Sequence, residues 1–447
     1  MFNDLTPSEK RLLGNSVGAQ CFGLLTEQVL SGGVMLLYLN ALKVNGAAIL
    51  FILALCPFLM ALLNVPLAFA ADRIGIKQFG QWGNLFMIAG MILVILGPNA
   101  PGNHLAWIIA GLLIHTLGSA LFGTGWFALL SHVVPSHYTG RFFGVLRFSW
   151  QLVGIVFFGV VSCFFTGATP IRVYQILLAV CTAGLFVRGF FYQGIPAPPR
   201  ATEAIPFFPA VVSAIRVPGY LPYLAYVFLL VFFTSKGADM LRLMGRQGLG
   251  FGDNTVLTMS VAGMVGALCG FYLGGKGVDQ WGTRPLFVAC HFGFGLALIL
   301  FPCRALFPFS APVPAIATSF LLGLVQASVS IAFTTETFAI CSTRYRVLAM
   351  GLISSFQTLA TAVSGFAFAG LLTTQALQKH WQLAGMALTD YDTVLMLFAL
   401  MVVLLVITLG LVPSVIRNAK SPATGLSAAS ATPPIWPPPE PVLAPRS

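Results

Sequence analysis

The chain has 447 residues, of which 57% are hydrophobic and only 8% are charged, and its formal net charge is +11. Soluble domains carry charge on about a quarter of their residues, so this composition excludes an ordinary soluble protein and indicates a membrane protein. The basic excess does not imply a nucleic-acid partner, because lysines and arginines beside membrane spans face anionic lipid headgroups.

Apolar runs along the chain predict twelve transmembrane helices, since about 20 residues cross the hydrocarbon core as a helix. The runs are about 14–39, 47–71, 82–97, 104–134, 140–166, 171–193, 218–241, 255–275, 285–304, 312–342, 347–374 and 391–413, and the third is the shortest. They are continuously apolar and do not alternate with period two, which favours helices over a barrel. We therefore expect an all-α membrane protein.

The distribution of lysine and arginine predicts the orientation. If both termini are cytoplasmic, fourteen of these residues lie in inside loops and tails and seven in outside loops. This asymmetry follows the positive-inside rule. Residues 1–11 are polar and lead directly into a full span, which is not the pattern of a cleavable signal peptide. We expect a multi-pass protein of the bacterial cytoplasmic (inner) membrane.

A short charged loop occurs twice, after the second and the eighth apolar runs. Its residues are Ala68, Asp72, Arg73, Gly75 and Lys77 in the first copy, and Gly275, Asp279, Gly282 and Arg284 in the second. Asp72 and Asp279 lie 207 positions apart, as do the glycines that follow them. Two such copies between predicted spans indicate a chain built from two related halves, the usual design of a transporter.

Other repeated blocks support this division. Phe122–Ala128 matches Phe333–Ala339, and Ser149–Gln151 matches Ser355–Gln357. The expected organisation is an N-terminal six-helix bundle (1–193), a proline-rich cytoplasmic linker (194–217), a C-terminal six-helix bundle (218–413) and a disordered Pro/Ala-rich cytoplasmic tail (414–447).

Twelve spans in two halves, with the charged loop in each, resemble the major facilitator superfamily over about residues 10–415. The first loop departs from the family pattern, because Ala68 replaces its first glycine. The resemblance implies two pseudo-symmetric bundles that rock about a central site. It further implies a gating role for the charged loops, namely for Asp72, Arg73, Gly75, Lys77, Gly275, Asp279, Gly282 and Arg284.

Glu27 is the main candidate for the central site. A charged side chain at mid-bilayer costs roughly 2.5–3.5 kcal/mol on insertion scales, so it must face a cavity or a partner. Glu27 shares one helical face with Gln20, Gly23 and Ser31. This polar face indicates either a water-filled cavity or a carboxyl group paired within the bundle.

Other polar residues inside predicted spans complete the list of site candidates. They are His115 and Trp126 on span four, Arg147 and Gln151 on span five, Glu336 on span ten and Gln357 on span eleven. Glu336 lies nearer the cytoplasmic end, so a gating role is its alternative. Lys236, Asp239 and Arg242 lie near the outer end of span seven, where either snorkelling to the interface or substrate contact would explain them.

These features favour a secondary transporter for a small solute, with an organic anion or zwitterion as the preferred class. An exporter of drugs or lipid-like amphiphiles is the alternative within transport, although Ser119 stands where proton-coupled drug exporters carry an arginine. A non-transporting membrane sensor or assembly factor is the alternative of another class. We expect no enzyme activity, no cofactor or metal, and a monomer in contact with lipids; proton, sodium and uncoupled mechanisms stay open.

Overall fold

The computed structural model describes residues 6–31, 33–134, 139–197, 211–212, 215–340, 346–374, 377, 379–383, 386–411 and 415–416. The α-helices in the first half of the chain are α1 (Pro7–Ser31), α2 (Val34–Ala41), α3 (Gly46–Ile74), α4 (Ile76–Leu96), α5 (His104–Val133), α6 (Thr139–Phe164) and α7 (Ile171–Gln193). Those of the second half are α8 (Tyr220–Thr234), α9 (Gly237–Leu243), α10 (Asp253–Trp281), α11 (Thr283–Leu300), α12 (Pro312–Ile340), α13 (Arg346–Thr373) and α14 (Asp390–Leu411).

Within this part of the chain, eleven helical segments are long and apolar enough to cross a membrane, with α8 and α9 counted as one, and the bent pair of α1 and α2 brings the number to twelve if it is one span. The predicted number of spans is confirmed. The third span is longer than predicted, because α4 already begins at Ile76. We call the membrane face where α1 begins and α14 ends the terminal face, and the other the opposite face.

The helices form two bundles that meet along two helix pairs. In the first bundle α1 packs on α7 and α4 packs on α5, while in the second α10 packs on α12 and α11 packs on α14. Across the interface α3 contacts α13, and α6 contacts α10. Glycines allow close approach within each bundle: a Cβ on Gly83 would lie 2.6 Å from the Gly118 carbonyl oxygen, and one on Gly266 would lie 2.0 Å from that of Phe320.

The first span of each half is interrupted. In the first half α1 ends at Ser31, and Gly33 has a left-handed φ of 94° before α2 begins. In the second half the α-helix stops for Ser235 and Lys236, between α8 and α9. Discontinuous helices at corresponding positions of two repeats are a feature of binding sites in transporters.

The repeated charged loops have the same backbone geometry. Gly75 separates α3 from α4 with a φ of 118°, and Gly282 separates α10 from α11 with a φ of 87°. Residues other than glycine rarely adopt such backbone angles, so the turn requires a glycine in each loop. The sequence repeat therefore corresponds to a repeat in structure.

One element was not predicted. A two-stranded antiparallel hairpin, β1 (His380–Leu383) and β2 (Met386–Thr389), precedes α14 on the opposite face. Most of the predicted linker and all of the predicted tail except Val415 and Ile416 lie outside the described residues. Seven of the eight cysteines are described, and all seven are free thiols.

Candidate functional site

Glu27 is held in a polar cluster inside the first bundle. Its Oε1 accepts a hydrogen bond from the Ser119 hydroxyl of α5 at 2.5 Å. His115, one turn earlier on α5, is 1% exposed and interacts electrostatically with Glu27. Glu27 itself is only partly buried. The structure thus brings together two predicted site residues, Glu27 and His115, and adds Ser119.

The base that interacts with Glu27 is Arg188 of α7, a residue that is not among the candidates from the sequence. Its guanidinium carbon lies 3.3 Å from the centroid of the Phe122 ring, and its charge interacts with that of Glu27. Gly23 makes room for it, because a Cβ there would lie 2.4 Å from Arg188 Cδ. The signal that could have found Arg188 is the one that found Glu27: a charged side chain deep in an apolar run.

The polar face of α1 is therefore packed against protein along part of its length. Gly23 contacts α7 and Glu27 contacts α5, whereas the sequence left a water-filled cavity and a paired carboxyl group as alternatives. The partial exposure of Glu27 leaves this carboxylate accessible while His115 and Arg188 are buried. Gln20, about one turn before Gly23 on this helix, is also partly buried.

Arg147 and Gln151 of α6 lie at the interface between the bundles and not in the Glu27 cluster. The Arg147 side chain is exposed, and its guanidinium carbon is 5.6 Å from the centroid of the Phe271 ring on α10. Gln151 is buried, and its Nε2 donates to the Met264 carbonyl oxygen at 2.8 Å. Gln357, on α13, is partly buried. Arg147 and Gln151 thus contact the second half of the chain.

Trp126 and Glu336 occupy other environments than the expected central cavity. Trp126 is 3% exposed and packs on Phe122 and Tyr192 within the first bundle. Glu336 is fully buried and accepts a hydrogen bond from Thr283, the first residue of α11. Its position beside the second charged loop favours the gating alternative.

The charged loops themselves lie on the terminal face. Asp279 is exposed, and Lys77 donates from Nζ to the Gln193 carbonyl oxygen at 3.0 Å, which connects the first loop to the end of α7. The side chains of Asp72 and Arg73 lie outside the described residues, so their predicted contacts stay predictions. Arg284 is partly buried and Gly275 has open space beside its Cα.

A second charged cluster lies on the seventh span. Asp239 pairs with Lys236 at 3.0 Å and with Arg242 at 2.9 Å. The side chains of the two bases are only 8% and 10% exposed. Snorkelling to the interface, one of the two sequence-based explanations, is therefore wrong for this conformation, since snorkelling bases are hydrated.

The opposite face is closed by polar contacts between the bundles. Asp253, the first residue of α10, is 2% exposed and accepts hydrogen bonds from the Thr169 backbone N–H at 2.8 Å and the Tyr174 hydroxyl at 2.9 Å. It also forms an ion pair with Arg246 at 2.8 Å. The described contacts thus join the halves on this face, while Arg147 and Asp279 are exposed toward the other.

These observations define a multi-pass helical membrane protein with two repeated bundles and buried charges beside their interface. Its sequence matches the Major Facilitator Superfamily over residues 18–365. The chain belongs to this superfamily of transporters.

Several solved transporters have the same fold. XylE, the xylose transporter from E. coli, is 13% identical with a TM-score of 0.66 and covers 93% of this chain and 100% of its own. A POT family transporter in complex with a thioalcohol-conjugated peptide is 13% identical with a TM-score of 0.69, covering 90% and 96%. The nucleoside transporter NupG is 15% identical with a TM-score of 0.65, covering 91% and 99%. No curated protein sequence matches the chain.

Proposed function

We propose that the protein is a secondary active transporter that moves a small organic solute across the bacterial cytoplasmic membrane by alternating access. The observation that carries this proposal is the Glu27 cluster. A partly exposed carboxylate is held by Ser119 within a span, close to a buried histidine and a buried arginine. Such intramembrane ionisable groups mark substrate or proton pathways.

The accessible side of this site is the terminal face in the conformation described. Polar contacts of Asp253 join the bundles on the opposite face, and Arg147 is exposed near the terminal one. The excess of lysine and arginine in the terminal-face loops supports a cytoplasmic location for that face. The conformation is then inward-open, and rocking of the bundles would expose the site to the outside.

The charged loops serve as the gate in this proposal. Gly75 and Gly282 set the same turn in each half, and the buried contact between Glu336 and Thr283 fixes the start of α11 after the second loop. Closure of the terminal face would bring Asp72 and Asp279 toward the facing bundle. There a carboxylate can accept hydrogen bonds from the unpaired N–H groups of a helix terminus.

Glu27→Gln separates the two roles that its carboxylate can have. If Glu27 carries a coupling proton, the variant loses pH-gradient-driven accumulation in proteoliposomes and keeps downhill exchange. If Glu27 binds substrate, exchange and binding weaken together. A thermal-shift screen of defined organic anions, zwitterions, cations and sugars supplies the transported compound, because a ligand of the folded state raises its apparent stability.

The matched control is Asp390→Asn, which removes a carboxylate charge at the start of α14, away from the cluster. It is expected to accumulate substrate as the wild type does. A folded Glu27→Gln protein with wild-type binding, exchange and accumulation would contradict the proposed role of Glu27. A protein that binds ligand but transports none of the compounds would favour a sensor over a transporter.

A further inference from the structure

The interrupted first spans of the two halves meet at one place. Arg242, in the last turn of α9, donates from Nη1 to the carbonyl oxygen of Ser31 at 3.4 Å, and Ser31 is the last residue of α1. A Cβ on Gly33 would lie 2.9 Å from Arg242 Cδ. The bond spans 211 residues of sequence and joins the two bundles. The part of the seventh span that follows its interruption therefore lies against the interruption of the first span at Gly33.

Lys236, Asp239 and Arg242, which we call the Asp239 cluster, also contact the helices that connect the bundles. Lys236 Cε lies 3.3 Å from the position of a Cβ on Gly365 in α13, and α13 packs on α3. The same Cβ position lies 2.7 Å from Ala54 Cβ of α3. The Asp239 cluster is thus close to α3 as well as to α13.

The Asp239 cluster has more positive than negative charge. Two bases share one carboxylate, and both bases are at least nine-tenths buried. Burying an uncompensated charge is costly, so a buried cluster with net charge +1 is stabilised when one further anionic group enters it.

Buried polar atoms of the cluster also have unused hydrogen-bonding capacity. Arg242 Nε has no hydrogen-bond partner among the described residues, and neither does Ser235 Oγ at the helix interruption. Buried donors of this kind are normally satisfied, and each exception in a native structure asks for an explanation. A ligand oxygen that accepts from Arg242 Nε would satisfy this donor and compensate the charge of the cluster.

We propose that the Asp239 cluster is an anion subsite, in which the negatively charged group of an organic anion binds between Lys236 and Arg242. The assignment rests on the proposed transport function and names the substrate class for it. When the site is empty, the Asp239 carboxylate forms ion pairs with both bases. When the ligand is bound, its anionic group and Asp239 share these two bases. Arginine suits this role because its planar guanidinium can donate two parallel hydrogen bonds to one carboxylate.

Thermal unfolding of the purified full-length protein tests the assignment. The probes are mono-, di- and tricarboxylates such as acetate, succinate and citrate, each compared with its neutral amide at equal ionic strength. Wild-type protein is expected to be stabilised by at least one carboxylate and not by the matched amide. Lys236→Gln and Arg242→Gln should each raise the concentration of that carboxylate needed for half-saturation at least about tenfold. Loss of one charge-assisted hydrogen bond implies a change of this size.

Asp239→Asn changes the cluster in the other direction. It leaves both bases without their carboxylate, so the same carboxylate should stabilise this variant more than it stabilises the wild type. Arg172→Gln removes an exposed arginine on the opposite face and serves as the matched control, with a wild-type response expected. The unfolding temperature of each variant without ligand shows whether it has folded.

Two results would overturn the anion subsite: equal stabilisation by carboxylates and amides, or wild-type responses in both Lys236→Gln and Arg242→Gln. The proposed function fails separately. If Glu27→Gln abolishes accumulation while carboxylates do not bind, transport through the Glu27 cluster stands and the anion subsite falls. If carboxylate binding depends on Lys236 and Glu27→Gln transports normally, the anion subsite stands and the role of Glu27 falls.

Discussion

At the scale of single residues, Arg188 occupies the space that Gly23 leaves by having no side chain. The arginine is 6% exposed, packs on the Phe122 ring, and has its Nη1 3.5 Å from Met87 Sδ. A cation in this position is stabilised by the aromatic face and by the charge of Glu27. The absence of a side chain at Gly23 therefore allows α1 to approach α7 closely at Arg188.

Gly23→Ala should destabilise the protein. The added methyl group would lie 2.4 Å from both Arg188 Cδ and Nε, so the arginine must move or the helices must separate. Overpacking of this kind costs about 1–3 kcal/mol. The measurement is thermal unfolding in detergent, together with uptake of whichever substrate the screen identifies.

Gly14→Ala is the matched control on the same helix. No atom lies within 4 Å of a Cβ at Gly14, so the alanine is accommodated and its higher helix propensity is a small gain. Equal stability of the Gly23→Ala and Gly14→Ala proteins would show that Arg188 is not confined as the structure describes.

At the scale of elements, the start of α10 connects the two bundles on the opposite face. Asp253 accepts from two groups of the first half, Thr169 and Tyr174, and pairs with Arg246 of its own half. Gln247 adds a second connection, because its Nε2 donates to Asn40 Oδ1 at 2.9 Å. These bonds must break before the opposite face can open.

Asp253→Asn should shift the population toward opening on the opposite face. The change removes the ion pair and weakens hydrogen bonds to a charged acceptor, each worth about 1.5–3 kcal/mol. Single cysteines placed near the two mouths of the transport path would report the shift by their rates of labelling with a soluble thiol reagent. Labelling on the opposite face should become faster.

Tyr174→Phe removes one of these donors and should give a smaller shift in the same direction. Asn254→Ala is the control in the same helical turn, where the Asn254 side chain accepts from the adjacent Thr255 N–H. Labelling rates of Asp253→Asn that match those of Asn254→Ala would mean that Asp253 stabilises the fold without controlling access.

At the scale of the whole molecule, the orientation in the membrane is a prediction from charge. Fourteen lysines and arginines in the predicted inside loops and tails, against seven in the predicted outside segments, indicate a cytoplasmic terminal face. In a background without the native cysteines, Asn99→Cys, at an exposed position of the opposite face, should react with a membrane-impermeant thiol reagent in intact cells. Gln280→Cys, on the terminal face, should react only after permeabilisation. The reverse pattern would invert the orientation and the direction of every proposed step.

The sequence by itself determined the features that depend on local chemistry. Apolar runs of bilayer length produced the number of spans, and the charged loops at a spacing of 207 residues revealed the two halves. Gly75 and Gly282 illustrate why this was possible: each turn needs a positive φ, which is a property of one residue. Glu27 was identifiable in the same way, since a charge within a span is costly wherever its partner lies.

Tertiary structure alone decided which charges meet. Arg188, and not Arg147, faces Glu27, and the Asp239 cluster is buried beside the end of α1 where the sequence also allowed snorkelling. Pairing between spans depends on how each helix is rotated and how deeply it lies against its neighbours. Lipid-facing and core-facing positions of a membrane helix are similarly apolar, so hydropathy does not report that rotation. Packing of small residues such as Gly23 against large partners sets it instead, and those contacts exist only in the folded molecule.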